Sequence, residues 1–89
     1  MFEWDSGKAA ANLSKHGVSF DEATSVFADT QGLDGPDIRH SSGEMRFLRV
    51  GLSGPGRVFT IAYTVRRKDN VEVIRIISAR PASRKEKAA

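Results

Sequence analysis

Two β-branched runs, 58–66 and 71–79, meet across Asp69 and Asn70, and this pairing limits what the chain can become more than any other feature. Asp and Asn tolerate the conformations a tight turn needs, so the runs read as antiparallel neighbours in a hairpin. In the first run Phe59, Ile61, Tyr63 and Val65 alternate with Thr60, Ala62 and Thr64, the period of a central strand with two distinct faces. The second is apolar on both faces apart from Glu72, Arg75 and Ser78, and Pro81 stops it. A chain of 89 residues buries only about 60–65% of the surface its unfolded form exposes. One domain over 1–89, with one core against this hairpin, is the expectation.

Before residue 31 the period is helical. Phe2, Glu3 and Trp4 read as a short strand, and the Asp5 carboxylate then accepts the free amides of a helix start. The helix spans 6–16, and Gly17 ends it in the left-handed conformation. On it Lys8, Asn12 and Lys15 share one side, Ala9 and Leu13 mark an apolar stripe beside them, and His16 lies on the border. Ser19 and Glu22 have the spacing of a capping box, with Val18 and Ala23 as its hydrophobic staple. A second helix therefore begins at once and buries Phe20, Ala23, Val26 and Phe27. Beyond Gln31 come a short strand near Leu33, a loop over 36–43, a strand over 45–52 and a tight turn at Ser53-Gly54-Pro55-Gly56. Ser83 and Glu86 repeat the capping spacing for a vestigial helix of one or two turns. The expected fold is α+β: two N-terminal helices packed on one face of a twisted, mainly antiparallel sheet.

Charge divides the chain in two. Residues 1–44 carry three Lys or Arg against eight Asp or Glu, a net of −5, and 45–89 carry eleven against three, a net of +8. The net of +3 is then a polarised molecule whose basic half, chiefly sheet, forms a cationic working face that the acidic layer does not cancel. Absence of cysteine excludes disulfides, thiolate metal sites and a cysteine nucleophile. Glu3 and Asp5 stand where a signal peptide would be basic, and no stretch approaches the ~18 apolar residues of a membrane span. A soluble cytoplasmic protein with no membrane contact is expected.

Basic residues on strands and turns, such as Arg66, Arg67 and Lys68, can track a phosphate backbone or merely be solvated, and composition leaves both open. Arg75 interrupts an apolar strand, so its guanidinium must be buried in an ion pair or face a site. His16 and His40 are the candidate proton carriers, since only imidazole titrates near neutrality unperturbed. His16 also suits a helix end, where the dipole favours its cation. His40 lies in a polar loop with Asp37, Arg39, Ser41, Ser42 and Glu44. Two histidines without ligand spacing make a metal site a poor explanation, and no cofactor is expected. Glu22 is accounted for by its cap. Tyr63 is either a core aromatic or a proton donor.

The blocks Phe2-Glu3-Trp4-Asp5, Lys8, Asn12, Lys15-His16-Gly17-Val18-Ser19-Phe20 and Glu22-Ala23 resemble the N-terminal signature of the BrnT family, toxins of BrnT/BrnA type II toxin–antitoxin systems. Asp37-Ile38-Arg39-His40-Ser41, Gly43-Glu44, Arg46, Gly51-Leu52-Ser53, Tyr63-Thr64 and Arg75-Ile76-Ile77-Ser78-Ala79-Arg80 are similar to its remaining blocks in order and spacing. The likeness covers residues 2–86. The family usually continues past the capping glutamate into a longer helix with a tyrosine, where this sequence has Lys87-Ala88-Ala89.

The resemblance implies a RelE-like fold, metal-independent endoribonuclease activity that stops translation, and a ribbon-helix-helix antitoxin, BrnA. Toxin and antitoxin would form a heterotetramer, and operator DNA would be bound only through that complex. Metal-free RNA cleavage needs a group to take the 2′-hydroxyl proton, cations for the phosphorane and a donor for the departing 5′-oxygen. His16 or His40 is expected as base or acid, with Arg46, Arg75 and Arg80 on the phosphorane and Tyr63 and Thr64 as auxiliary donors. Lys8, Asn12, Lys15, Arg39, Arg66 and Arg67 are expected to hold the RNA. The sequence is also compatible with a non-catalytic nucleic-acid-binding module and with a protein whose basic face docks only an antitoxin.

Overall fold

A computed structural model describes residues 1–40 and 43–88; Ser41 and Ser42 of the polar loop lie outside the described residues. Strands β1 (Phe2–Glu3), β2 (Leu33–Pro36), β3 (Phe47–Leu52), β4 (Val58–Lys68) and β5 (Val71–Pro81) form one sheet in the order β1-β5-β4-β3-β2. β2 to β5 are an antiparallel meander, and β1 pairs parallel to β5. The hairpin that organises the chain forms as the sequence predicts. Asp69 and Asn70 both take positive φ, 50° and 64°, which matches the twist of the flanking strands.

Helix α1 (Ser6–His16) starts where Asp5 Oδ2 accepts the Lys8 amide at 2.8 Å, and ends at Gly17 with φ 68°. Its inward residue is not Leu13, which is 51% exposed, but Asn12, at 7%. β1 reaches only Ile74 and Arg75 of β5, so the backbone of β5 further along lacks a strand partner on that side. The Asn12 side chain supplies one. Its Nδ2 donates to the carbonyls of Ala79 at 2.8 Å and Val18 at 3.0 Å, and its Oδ1 accepts the Ala79 amide at 3.1 Å. Asn12 was expected on the RNA-binding side; burial and three backbone bonds make it a clamp between α1 and the sheet.

Helix α2 (Phe20–Thr24) is shorter than the apolar spacing predicts, and Ser25–Ala28 continues it as a 3₁₀ turn. The Thr24 and Ser25 hydroxyls donate to the carbonyls of Asp21 and Glu22 at 2.7 and 2.6 Å, competing with the α-helical ladder at its last turn. Ser19 accepts the Glu22 amide at 3.0 Å, but Glu22 does not return the bond. Its carboxylate takes Arg57 and the Ser53 hydroxyl instead, tying α2 to the turn before β4 and holding its pKa below the ordinary value, with Arg57 the main cause. Val18, Phe20, Ala23, Val26, Phe59, Ile61, Ile76 and Ala79 form the core between these turns and the sheet.

Strand ends differ by a residue or two from expectation. β3 starts at Phe47 rather than 45, and the loop before it holds a 3₁₀ turn, Ile38–His40. Pro81 lies in β5 opposite Phe59 rather than beyond it; at the last place of a strand its missing N–H costs no interior ladder bond. Val65, which alternation puts on the face of Phe59, Ile61 and Tyr63, is 42% exposed. Helix α3 (Arg84–Lys87) is a single turn with the reciprocal Ser83–Glu86 capping box that the sequence predicts.

Candidate active site

Thr60, Ala62 and Thr64 alternate with the core residues Phe59 and Ile61 and so belong to the opposite face of the sheet. On that face lies a cavity of about 550 Å³ lined by residues including Arg39, His40, Arg46, Leu48, Ala62, Ser78 and Arg80. A second, of about 390 Å³, is lined by Lys8, His40, Glu44, Arg46, Thr64, Arg66, Arg75 and Ile77. His40 and Arg46 belong to both, so the two form one groove. Lys8 also lines a smaller hollow with Lys15, His16, Ile77 and Ser78 beside α1.

A bulge builds this floor. Ala62 pairs with Ser78 but Tyr63 with Ile76, leaving Ile77 as the extra residue of β5. Strict alternation would send Arg75 and Arg80 to opposite faces, five residues apart. The inserted residue reverses the parity and brings both to the groove.

Four of the groove's functional groups, Arg75, Arg80, His40 and Arg66, have carboxylate partners. Glu3 Oε2 accepts Arg75 Nη1 at 2.8 Å while its Oε1 accepts Lys68 Nζ at 3.0 Å. Lys68, then Arg75, keep the Glu3 carboxyl below its usual range. Glu86 grips Arg80 through both oxygens at 2.7 and 2.8 Å, and Arg80 is the main reason its carboxyl is pushed down to about 2. The same pairing raises the Arg80 guanidinium. Asp37 lies 3.0 and 3.2 Å from His40 Nδ1. Glu44 sits 3.4 Å from Arg66 Nε. Glu3 and Glu86 carry no local signal of these pairings; Asp37, three residues from His40, does.

Lys8 and Lys15 have no ion pair among the described residues, and Thr64 Oγ1 is buried there without a hydrogen-bond partner. An unpartnered buried hydroxyl costs about 1–3 kcal/mol, which a bound oxygen on the groove floor would offset.

Of the residues expected at a site, Lys8, Arg39, His40, Arg46, Thr64, Arg66, Arg75 and Arg80 line the groove, and Asn12, Lys15 and His16 border it. Tyr63 does not belong. It packs edge-on to Phe27 on the core side and donates its hydroxyl to Asp34 at 2.6 Å. Burial first, and Asp34 second, push that hydroxyl well above the ordinary tyrosine range, so it is a core residue rather than a proton donor. Arg67 is exposed opposite Glu72 and lines none of these cavities.

A groove with an imidazole, several guanidinium groups and a lysine suits binding of a phosphodiester chain and in-line displacement at its phosphorus. No curated protein matches the chain. A family model, described as ribonuclease toxin, BrnT, of type II toxin–antitoxin system, matches residues 4–86. That span is nearly the whole sequence, and the chain belongs to the BrnT family of ribonuclease toxins.

Proposed function

We propose that the chain is a metal-independent endoribonuclease which stops translation by cutting RNA in this groove. The observation that carries the proposal is that His40 lines both cavities together with Arg46, while Arg75 and Arg80 come to the same face. The neutral His40 imidazole takes the proton of the RNA 2′-hydroxyl. The 2′-oxygen bonds to phosphorus, and Arg46, Arg75 and Arg80 offset the charge of the phosphorane. The bond to the 5′-oxygen then breaks, and Lys8, an ammonium in the same cavity as His40, gives that oxygen a proton. The products are a 2′,3′-cyclic phosphate and a 5′-hydroxyl. His16 borders a separate hollow with Lys15, so its part is to hold the backbone rather than to move a proton. Arg39 and Arg66 hold flanking phosphates.

The RelE-like arrangement and a ribbon-helix-helix antitoxin in a heterotetramer belong to the same proposal. An acidic antitoxin segment would neutralise the toxin by filling the basic groove, and operator DNA would be met only by the complex. The test is to induce the chain alone in bacteria and follow growth and bulk mRNA. Arrest with RNA fragmentation is expected. A non-catalytic binding module is the second reading, favoured by the carboxylates that already occupy Arg75 and Arg80; arrest with intact RNA would sink the nuclease reading, and no arrest would favour the binding module.

A further inference from the structure

His40 is 62% exposed and stands on a three-residue 3₁₀ turn, so packing alone does not fix its ring. What fixes it is Asp37. This side chain is only 12% exposed. Its backbone is anchored too: the Asp37 amide donates to the Arg46 carbonyl at 2.8 Å, and the Asp37 carbonyl accepts the His40 amide at 3.3 Å. The loop is thus pinned to the residue that leads into β3. From that pinned position both carboxylate oxygens reach His40 Nδ1, at 3.0 and 3.2 Å.

We propose that Asp37 is a positioning residue that fixes the tautomer and orientation of the His40 imidazole in the groove. This rests on the reading of His40 as the base. An ionised carboxylate only accepts hydrogen bonds, so the nitrogen that faces it carries the hydrogen. In the neutral ring the lone pair is then on Nε2, on the side of the ring away from Asp37. That is the form able to receive the 2′-hydroxyl proton. The other charged groups sharing these cavities with His40 include Lys8, Arg46, Arg66, Arg75 and Arg80, with Glu44 as the second acid. None of the cations can accept a hydrogen bond from Nδ1. Glu44 already pairs with Arg66, which leaves Asp37 as the carboxylate bonded to the ring.

The substitution Asp37→Asn keeps the shape but presents an amide that can donate to Nδ1, which favours the other tautomer, with the hydrogen on Nε2. Two measurements on the full chain test this. The first is the pattern of two-bond ¹H–¹⁵N couplings of the His40 ring at alkaline pH, where the ring is neutral. The native protein is expected to show hydrogen on Nδ1, and Asp37→Asn to shift the ring toward hydrogen on Nε2. The second is steady-state cleavage of an RNA oligonucleotide. Asp37→Asn is expected to lower kcat about tenfold or more, a fraction of the ~10²–10⁴ that an acid–base group contributes, with KM nearly unchanged. Asp37→Glu should recover part of the loss. Native kcat and a native tautomer in Asp37→Asn would overturn the proposal. If His40→Ala itself cut at the native rate, the assignment of the base would fall instead, and the ring couplings would still decide whether Asp37 sets the tautomer.

Discussion

At the scale of single residues, the groove separates side chains that do chemistry from those that only hold phosphate. His40→Ala should reduce cleavage by about 10²–10⁴, because it removes the group that takes the proton. His16→Ala should leave kcat near native, which distinguishes the two histidines in the same assay. Lys15, without an ion pair among the described residues and at the border of the groove, should act through affinity alone. Lys15→Ala is expected to weaken RNA binding and to flatten the dependence of log K on log salt by about 0.7, the value of one phosphate contact on a single strand. Asn12 behaves differently again. Asn12→Ala leaves the amide and carbonyl of Ala79 and the carbonyl of Val18 without that partner, and each buried backbone group left unpaired costs about 1–3 kcal/mol. Urea unfolding should show a loss of about 2 kcal/mol or more; a loss below 0.5 kcal/mol would mean that water replaces the clamp.

At the scale of elements, β5 decides where the groove lies, and its bulge at Ile77 is the step that periodicity did not reveal. Nothing in Ile76-Ile77-Ser78 marks an extra residue, since three apolar or small side chains suit either face. The hairpin, the Asp5 and Ser83 caps and the Gly17 stop were legible because each is set by neighbours within four residues. The surroundings of Asn12 and Tyr63 were not legible because partners far along the chain determine them: Ala79 for the first, Asp34 and Phe27 for the second. Helix α3 is tied to β5 by the grip of Glu86 on Arg80, six residues before it. The Glu86 carboxyl is held at about 2 against an ordinary 4.5. Its pKa falls on folding, so the stabilisation is complete above about pH 4.5 and is lost as the pH drops through 2. Glu86→Gln should therefore lower stability at pH 7 and have little effect at pH 2. Equal effects at both would contradict the ion pair as the cause.

At the scale of the whole molecule, the acidic and basic halves are not separate faces. Glu3, Glu22, Asp34 and Glu44 of the first half reach Arg75, Arg57, Arg49 and Arg66 of the second. The acidic half thus neutralises part of the cationic surface, contrary to the expectation from charge counting. What remains for a ligand is local: Lys8 and Lys15 from α1 meeting the arginines of the sheet around His40. If this groove cuts RNA by itself, it needs neither a metal ion nor another protein. The most direct test is to incubate the purified chain with an RNA oligonucleotide in excess EDTA, beside His40→Ala, and to identify the new ends. Cleavage to 2′,3′-cyclic phosphate and 5′-hydroxyl ends, lost in the variant, is the predicted result; intact RNA with the native chain, or equal cleavage by both, would contradict the account.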